Sequence, residues 1–216
     1  MAFKQQLNDE FARLGKALGN GRRLELLEHL AQGPRSVDKL AQAAGLSVAN
    51  TSQHLQRMQQ AGLVQAERFG KQVCYALADE DVVELLCVLR RVAERHSLEI
   101  QHMVEQHLTA KDELEGVGAA ELLERVRAGL VTVLDVRPDE EYRLGHLPGA
   151  INMDINELES KMASLDPNQT IVAYCRGPYC TFSFEAVERL RRAGFDVRRL
   201  ETGFPEWKAQ GLPVET

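Results

Sequence analysis

Thr170-Ile-Val-Ala-Tyr-Cys-Arg-Gly-Pro-Tyr-Cys-Thr181 is the stretch that decides the fold of the C-terminal half of the chain. Ile171 to Tyr174 form a short apolar run of buried-strand character. The six residues Cys175 to Cys180 follow as a loop containing Gly177 and Pro178, and Phe184, Val187 and Leu190 then recur at helical spacing. A strand that ends in a cysteine, turns tightly and enters a helix makes an anion site. Successive loop N–H groups converge on one point, and the helix start adds partial positive charge. A thiol in that cradle is predicted to ionise readily, with Arg176 adding a full charge beside it. An inert buried cysteine at a strand end is the plainer reading of Cys175. Packing alone, however, has no use for Arg176, Gly177 and a helix start beside the sulfur.

Working outward, Val133-Leu-Asp-Val-Arg137 and Gly145-His-Leu-Pro-Gly-Ala-Ile-Asn152 stand upstream, and Gly203-Phe-Pro-Glu-Trp207 and Gly211-Leu-Pro-Val214 downstream. These motifs, in this order around the cysteine loop, resemble the rhodanese family over about residues 112–216. The resemblance implies an α/β domain with a central parallel sheet. It also implies a cysteine that takes sulfane sulfur from a donor such as thiosulfate or a persulfide, holds it as a persulfide, and passes it to a thiol acceptor. Phosphatases and arsenate reductases of this fold place Arg after five intervening residues, whereas position 181 is Thr181. The shorter loop is similar to that of the sulfurtransferases. The candidate catalytic residues are Cys175 as nucleophile and sulfur carrier, Arg176 as anion stabiliser, and Asp135 and Arg137 as braces from a neighbouring strand end. Gly177, Pro178, Tyr179 and Cys180 complete the loop. Cys180 is open to two readings, a resolving thiol or a small packing residue. This chemistry calls for no metal and no organic cofactor.

The whole chain has 216 residues, 44% of them hydrophobic, and a net charge of −6. No apolar run reaches membrane-span length, and the first ten residues lack the apolar core of a signal peptide, so a cytoplasmic protein with no membrane partner is predicted. Four cysteines in such a chain point to catalysis or sensing rather than a disulfide framework. Residues 13–71 hold nine Lys and Arg against four Asp and Glu, a basic segment in an acidic protein. That distribution hints at nucleic-acid contact.

The N-terminal half reads as a series of short helices. Phe3, Leu7, Phe11, Leu14 and Leu18 predict a helix over 3–18, ended by Asn20-Gly21. A second helix turns Leu24, Leu27 and Leu30 inward. Ser36 caps a third over 37–44, and Ser47 caps a fourth over about 48–61. The pair joined by Ala44-Gly-Leu-Ser47 is a helix-turn-helix signature. On the fourth helix Thr51, Leu55 and Met58 face inward, leaving Asn50, Gln53, His54 and Arg57 for base edges and phosphates. Two strands flanking Arg68-Phe-Gly-Lys71 make a wing with a basic tip, with Val73, Tyr75 and Leu77 alternating on one face.

Gly45-Leu-Ser47, Ser52-Gln-His-Leu55, Ala61-Gly-Leu-Val64 and Arg68-x-Gly70 resemble the ArsR family of winged-helix repressors over about residues 13–109. The resemblance implies a homodimer on double-stranded operator DNA. Ser47, Asn50, Gln53, His54, Arg57, Arg68 and Lys71 are the candidate DNA-binding residues. Residues 80–108 form one long amphipathic helix or two broken ones, predicted to build the dimer interface with the first helix. Residues 37–58 lack the cysteines of arsenic-binding members. His96, Glu99 and His102 recur at three-residue steps but read as solvated surface, so no metal site is assigned. Cys87 reads as core, and Cys74 is placed facing outward.

The predicted organisation is multi-domain: a mainly α winged helix-turn-helix domain over 1–110, a linker over 111–118, and an α/β rhodanese-like domain over 119–216. The predicted function is a DNA-binding regulator, a repressor by resemblance, in which sulfur or thiol-redox state at Cys175 is coupled to operator binding. A sulfurtransferase enzyme that is merely dimerised by its N-terminal domain, and a Cys175/Cys180 disulfide switch, are the alternatives.

Overall fold

The computed structural model describes residues 2–69, 72–108 and 116–216. They form two compact units, Met1–Val83 and Glu84–Thr216. The wing tip (Gly70 and Lys71) and residues 111–115 of the expected linker lie outside the described residues.

In the first unit the order is α1 (Phe3–Leu18), α2 (Gly21–Ala31), β1 (Arg35–Ser36), α3 (Val37–Ala43), α4 (Val48–Gln60), β2 (Val64–Phe69) and β3 (Gln72–Leu77). Asn20-Gly21, expected to end the first helix, instead opens the second. The Asn20 side chain accepts the Arg23 N–H at 3.2 Å, satisfying one of the unpaired amides of a helix start. On α2 the buried face is Leu26, Leu27 and Leu30, and Leu24 is only half-buried. Ser36 and Ser47 cap α3 and α4 as expected, accepting from Lys39 and Asn50 N–H. Gly45 sits at φ +61° in the turn between them, where a side chain would be strained. β2 and β3 pair antiparallel from Val64↔Leu77 to Phe69↔Gln72. The two-residue β1 adds a third strand on β3, with Ser36 opposite Cys74. Cys74 is therefore half-buried rather than turned outward, and Tyr75 is the buried residue of β3.

The second unit takes in most of α5 (Asp81–His96), then α6 (Leu98–His107), α7 (Ala119–Arg127), β4 (Val131–Asp135), α8 (Asp139–Tyr142), β5 (Ile151–Asn152), α9 (Leu158–Lys161), β6 (Thr170–Tyr174), α10 (Thr181–Arg192), β7 (Val197–Arg199) and α11 (Phe204–Ala209). The stretch 80–108 is two helices. Ser97 breaks it by capping α6, its hydroxyl accepting the Ile100 N–H at 3.3 Å. His96 and His102 thus stand on different helices, which removes their common face. The sheet is parallel with order β5-β4-β6-β7. Both faces of this sheet are covered, which is why β6 reads as a continuous apolar run. Leu134, Ile171, Ala173 and Val197 pack with Ala186, Val187 and Leu190 of α10. Val133, Val172 and Tyr174 pack on the other face with Leu122 of α7 and Phe204 and Trp207 of α11.

Candidate functional site

Cys175 immediately follows β6 and joins the Ile171/Ala173 side of the sheet, the α10 side. It is 1% exposed. Cys180 is the residue before α10, and the two cysteines are disulfide-bonded with their Cα atoms 6.2 Å apart. The loop between them is held internally by Cys180 N–H donating to the Gly177 carbonyl at 3.1 Å. From outside, Phe204 N–H donates to the Cys175 carbonyl at 3.1 Å. Gly203 lies so close to the loop that a Cβ there would overlap the backbone of Arg176 and Gly177.

Arg176 is not an uncompensated cation. Its Nη2 is 2.7 Å from Glu141 Oε1 and its Nε 2.9 Å from Oε2, a two-pronged pair with a carboxylate that is 1% exposed. Glu141 comes from α8, within the acidic run Asp139-Glu-Glu141. Sequence reasoning passed over it because nothing marks which of the three acids points inward.

Asp135 and Arg137 are each fully buried. Arg137 Nη2 lies 2.6 Å from Asp135 Oδ2 and also donates to the Gly145 carbonyl at 2.7 Å. The Tyr174 hydroxyl donates to the same Asp135 oxygen and accepts from Leu147 N–H at 3.1 Å. The Arg137 guanidinium stacks 4.2 Å over the Phe204 ring. Burial alone pulls the Arg137 pKa down, but the Asp135 carboxylate outweighs it and the net direction is up. Burial, reinforced by Asp135, raises Tyr174 well above the phenol range. This pair has no surface to offer a substrate. It fixes Tyr174 and Phe204, which flank Cys175 through the chain and through a hydrogen bond.

The rim of the loop is built by α5 and α11; Arg90 and Glu94 were not singled out from sequence, and Cys87, read there as core, is half-buried beside Glu206 instead. Glu206, buried on α11, accepts the Gly203 N–H at 3.0 Å and the Arg90 Nη1 at 3.1 Å. Burial raises its pKa despite the Arg90 charge. Cys87 Sγ is 3.8 Å from Glu206, and burial followed by the Glu206 charge pushes the thiol up. The Tyr179 hydroxyl donates to Glu94 Oε2 at 2.9 Å, and burial plus that bond push its pKa up to about 12. The one legible signal was Glu206, an acid three residues past Gly203 at a helix start.

In the first unit Ser47, Asn50, Gln53, Arg57 and Arg68 are exposed. His54 is half-buried instead, its Nδ1 without a hydrogen-bond partner among the described residues. Burial, then Arg23 and Arg57, hold its pKa down. Lys71 falls outside the described residues. Arg13, Lys16, Arg23 and Arg57 line a cleft of about 290 Å³ at the C-terminal end of α4.

Comparison with known proteins accounts for both units. The rhodanese-like domain family matches residues 118–210, and the bacterial regulatory protein, arsR family, matches residues 20–66. HTH-type transcriptional regulator Rv0324 of Mycobacterium tuberculosis is 45% identical over 212 residues, spanning 98% of this chain and 93% of that protein. HTH-type transcriptional regulator YgaV of Escherichia coli is 33% identical over 93 residues, 43% of this chain and 94% of its own. Among solved structures, the homodimeric winged helix-turn-helix DNA-binding domain (fragment 1–100) of Mb0332 from Mycobacterium bovis is 42% identical. It covers 46% of this chain and 92% of its own at a TM-score of 0.43. A rhodanese-related protein from Thermoplasma volcanium is 31% identical over 47% of this chain and 98% of its own, with a TM-score of 0.43. No helix among the described residues is long and apolar enough to cross a membrane. With 45% identity over an alignment that spans both halves, the chain belongs to the ArsR family of helix-turn-helix transcriptional regulators and carries a rhodanese-like domain C-terminal to its DNA-binding fold.

Proposed function

We propose that this regulator senses sulfane sulfur through Cys175 and Cys180, and that the state of the pair sets its affinity for operator DNA. The observation that carries the reading is the joined pair at the two ends of the loop. The Cys175 thiolate attacks the outer sulfur of a persulfide R–S–SH, forming a new S–S bond and expelling the thiolate RS⁻. The Cys180 thiolate then attacks the inner sulfur of the Cys175 persulfide, closing the disulfide and releasing HS⁻. No external oxidant is needed, because the donor sulfur leaves reduced. The Glu141 carboxylate on Arg176 favours a persulfide over doubly charged thiosulfate, since an added anion meets a cation already paired.

DNA contact falls to the exposed α4 residues Asn50 and Gln53 for bases, with Arg57, Arg68, Lys71 and the Ser47 helix start for phosphate. The assembly is a homodimer that covers the apolar side chains exposed on α1 (Phe3, Leu7 and Phe11) and on α5 (Val88, Leu89 and Val92). The test is DNA affinity of the full chain on a duplex selected by binding from a random pool, with and without excess glutathione persulfide. Wild type changes affinity and Cys175→Ser does not. Wild type that forms the disulfide at unchanged affinity refutes the coupling. The disulfide alternative is favoured instead if hydrogen peroxide produces the same change and persulfide no faster.

A further inference from the structure

We infer that α5 is the relay between the sulfur loop and the dimer, working through Tyr179–Glu94 and Glu206–Arg90; this rests on the sensing function proposed above. Cys87, Arg90 and Glu94 follow one another at three- and four-residue steps, so they share one face of the helix. That face meets the loop at two points. Glu94 takes the hydroxyl of Tyr179, the residue next to Cys180. Arg90 takes Glu206, whose other oxygen holds Gly203 against the Arg176–Gly177 backbone. A Cβ on Gly177 would stand 3.6 Å from Glu206 and 3.9 Å from Arg90, so the loop backbone and α5 are in near contact there. All these partners belong to the second compact unit. Val88, Leu89 and Val92 are offset around the helix from that face and remain exposed. One helix thus presents a polar face to the sulfur loop and an apolar face for the second copy.

The direction of the effect follows from the loop. With Cys180 bonded to Cys175, Tyr179 is fixed at Glu94. Reduction frees the Cys180 end, and a persulfide on a cysteine that is 1% exposed needs room that only loop displacement provides. Either change alters the hold on Glu94, and a strained or released α5 repacks its apolar face. Coupling of this kind is credited only to an element whose equilibrium both sites bias, so the experiment must read α5 itself.

The experiment uses full-length protein, reduced and then treated with excess glutathione persulfide, with three readouts. Intact mass follows sulfur uptake and disulfide closure. Hydrogen exchange follows peptides spanning 84–96. DNA affinity is measured on the selected duplex. Wild type is expected to change exchange in α5 and to shift affinity by about tenfold, within the ordinary range of coupling between sites. Glu94→Ala closes the disulfide but loses most of both responses, to about twofold in affinity. Glu94→Gln, which keeps an oxygen for Tyr179, retains most of them. Arg90→Ala weakens the second contact, and the double variant with Glu94→Ala removes the remainder. If Glu94→Ala and the double variant respond like wild type, the relay is wrong. Affinity that shifts while α5 exchange stays fixed overturns the relay and leaves the sensing function standing. Exchange that shifts at fixed affinity, and is lost in Glu94→Ala, supports the relay and overturns the sensing function.

Discussion

Asp135→Asn tests whether the buried pair beneath the loop is a brace or part of the chemistry. The substitution leaves one oxygen where the Tyr174 hydroxyl and the Arg137 N–H each donate to a different carboxylate oxygen, and it removes the charge opposite a guanidinium that is 0% exposed. Removing one partner of a buried pair costs about 3–5 kcal/mol. The Glu141 carboxylate also acts on Arg137 and remains in place, which puts the expected loss near the lower end, about 3 kcal/mol. With a urea slope of about 1–3 kcal/mol per M, the unfolding midpoint falls by about 1–3 M. Trp207 is the single tryptophan and is fully buried in the second unit, so its fluorescence follows this transition alone. Because neither side chain reaches the surface, the folded variant should still take sulfur onto Cys175 within about threefold of wild type, less than one order of magnitude. Replacing both members, as Asp135→Leu with Arg137→Met, should recover part of the stability, since no charge is then left unpaired. A midpoint moved by less than about 0.3 M, together with sulfur uptake slowed by two orders of magnitude or more, would refute the bracing argument.

Glu141→Gln removes the carboxylate from Arg176 and should raise thiosulfate use relative to persulfide by about three- to tenfold in initial rate; an unchanged ratio removes the electrostatic reason for preferring a persulfide. Arg57→Ala and Arg68→Ala should weaken binding to all duplexes and flatten the salt slope by about one unit each. Asn50→Ala and Gln53→Ala should instead erode discrimination by about 1–3 kcal/mol per base pair read, and equal losses on selected and random DNA would sink that division. Tyr179 has its pKa raised to about 12, so the stability it lends is fully present below its unfolded value near 10 and is lost as pH rises through about 12. Difference titration of tyrosinate absorbance between wild type and Tyr179→Phe should show a step near 12, and a step at the ordinary phenol value would mean the Glu94 bond is not made in solution.

What was legible in the sequence was whatever rests on local pattern. The caps at Ser36 and Ser47, the inward face of Thr51, Leu55 and Met58, and the β6–loop–α10 order follow from neighbours within a few residues. Whether 80–108 was one helix or two stayed open in the sequence, because the break rests on the Ser97 hydroxyl capping a new helix inside a continuous apolar stripe. The two-residue β1 escaped because it owes its existence to a partner 38 positions further on in the Ser36↔Cys74 register. In the site, Cys175 and Cys180 were visible by loop chemistry. Glu141 of α8 and Arg90 and Glu94 of α5 were not, because two separate helices bring them to the loop and each looks like ordinary helix surface in one dimension. Arg176 shows the cost of that blindness: read alone it is a cation for an anionic donor, and read with Glu141 it is half of an ion pair.

In the proposed relay, access to the sulfur and release of α5 are tied to the same contacts. Cys175 is 1% exposed in the disulfide-bonded loop, so the proposed relay has the loop open before a donor arrives. The loop cannot open toward Gly203, whose Cα already abuts the Arg176–Gly177 backbone and is held there by Glu206. Opening by a move of Tyr179 and Cys180 would break the bond to Glu94, and opening by a shift of Gly203 with Glu206 would strain the bond to Arg90. On the proposed relay, each route would disturb α5 before sulfur transfer. A domain whose task was rapid turnover would gain from an open cysteine, because every such opening slows encounter with the donor. A buried cysteine whose opening were coupled, as proposed, to a helix bearing exposed Val88, Leu89 and Val92 would suit a regulator better than a fast enzyme, since slow uptake would be harmless if each uptake event changed the state of a dimer.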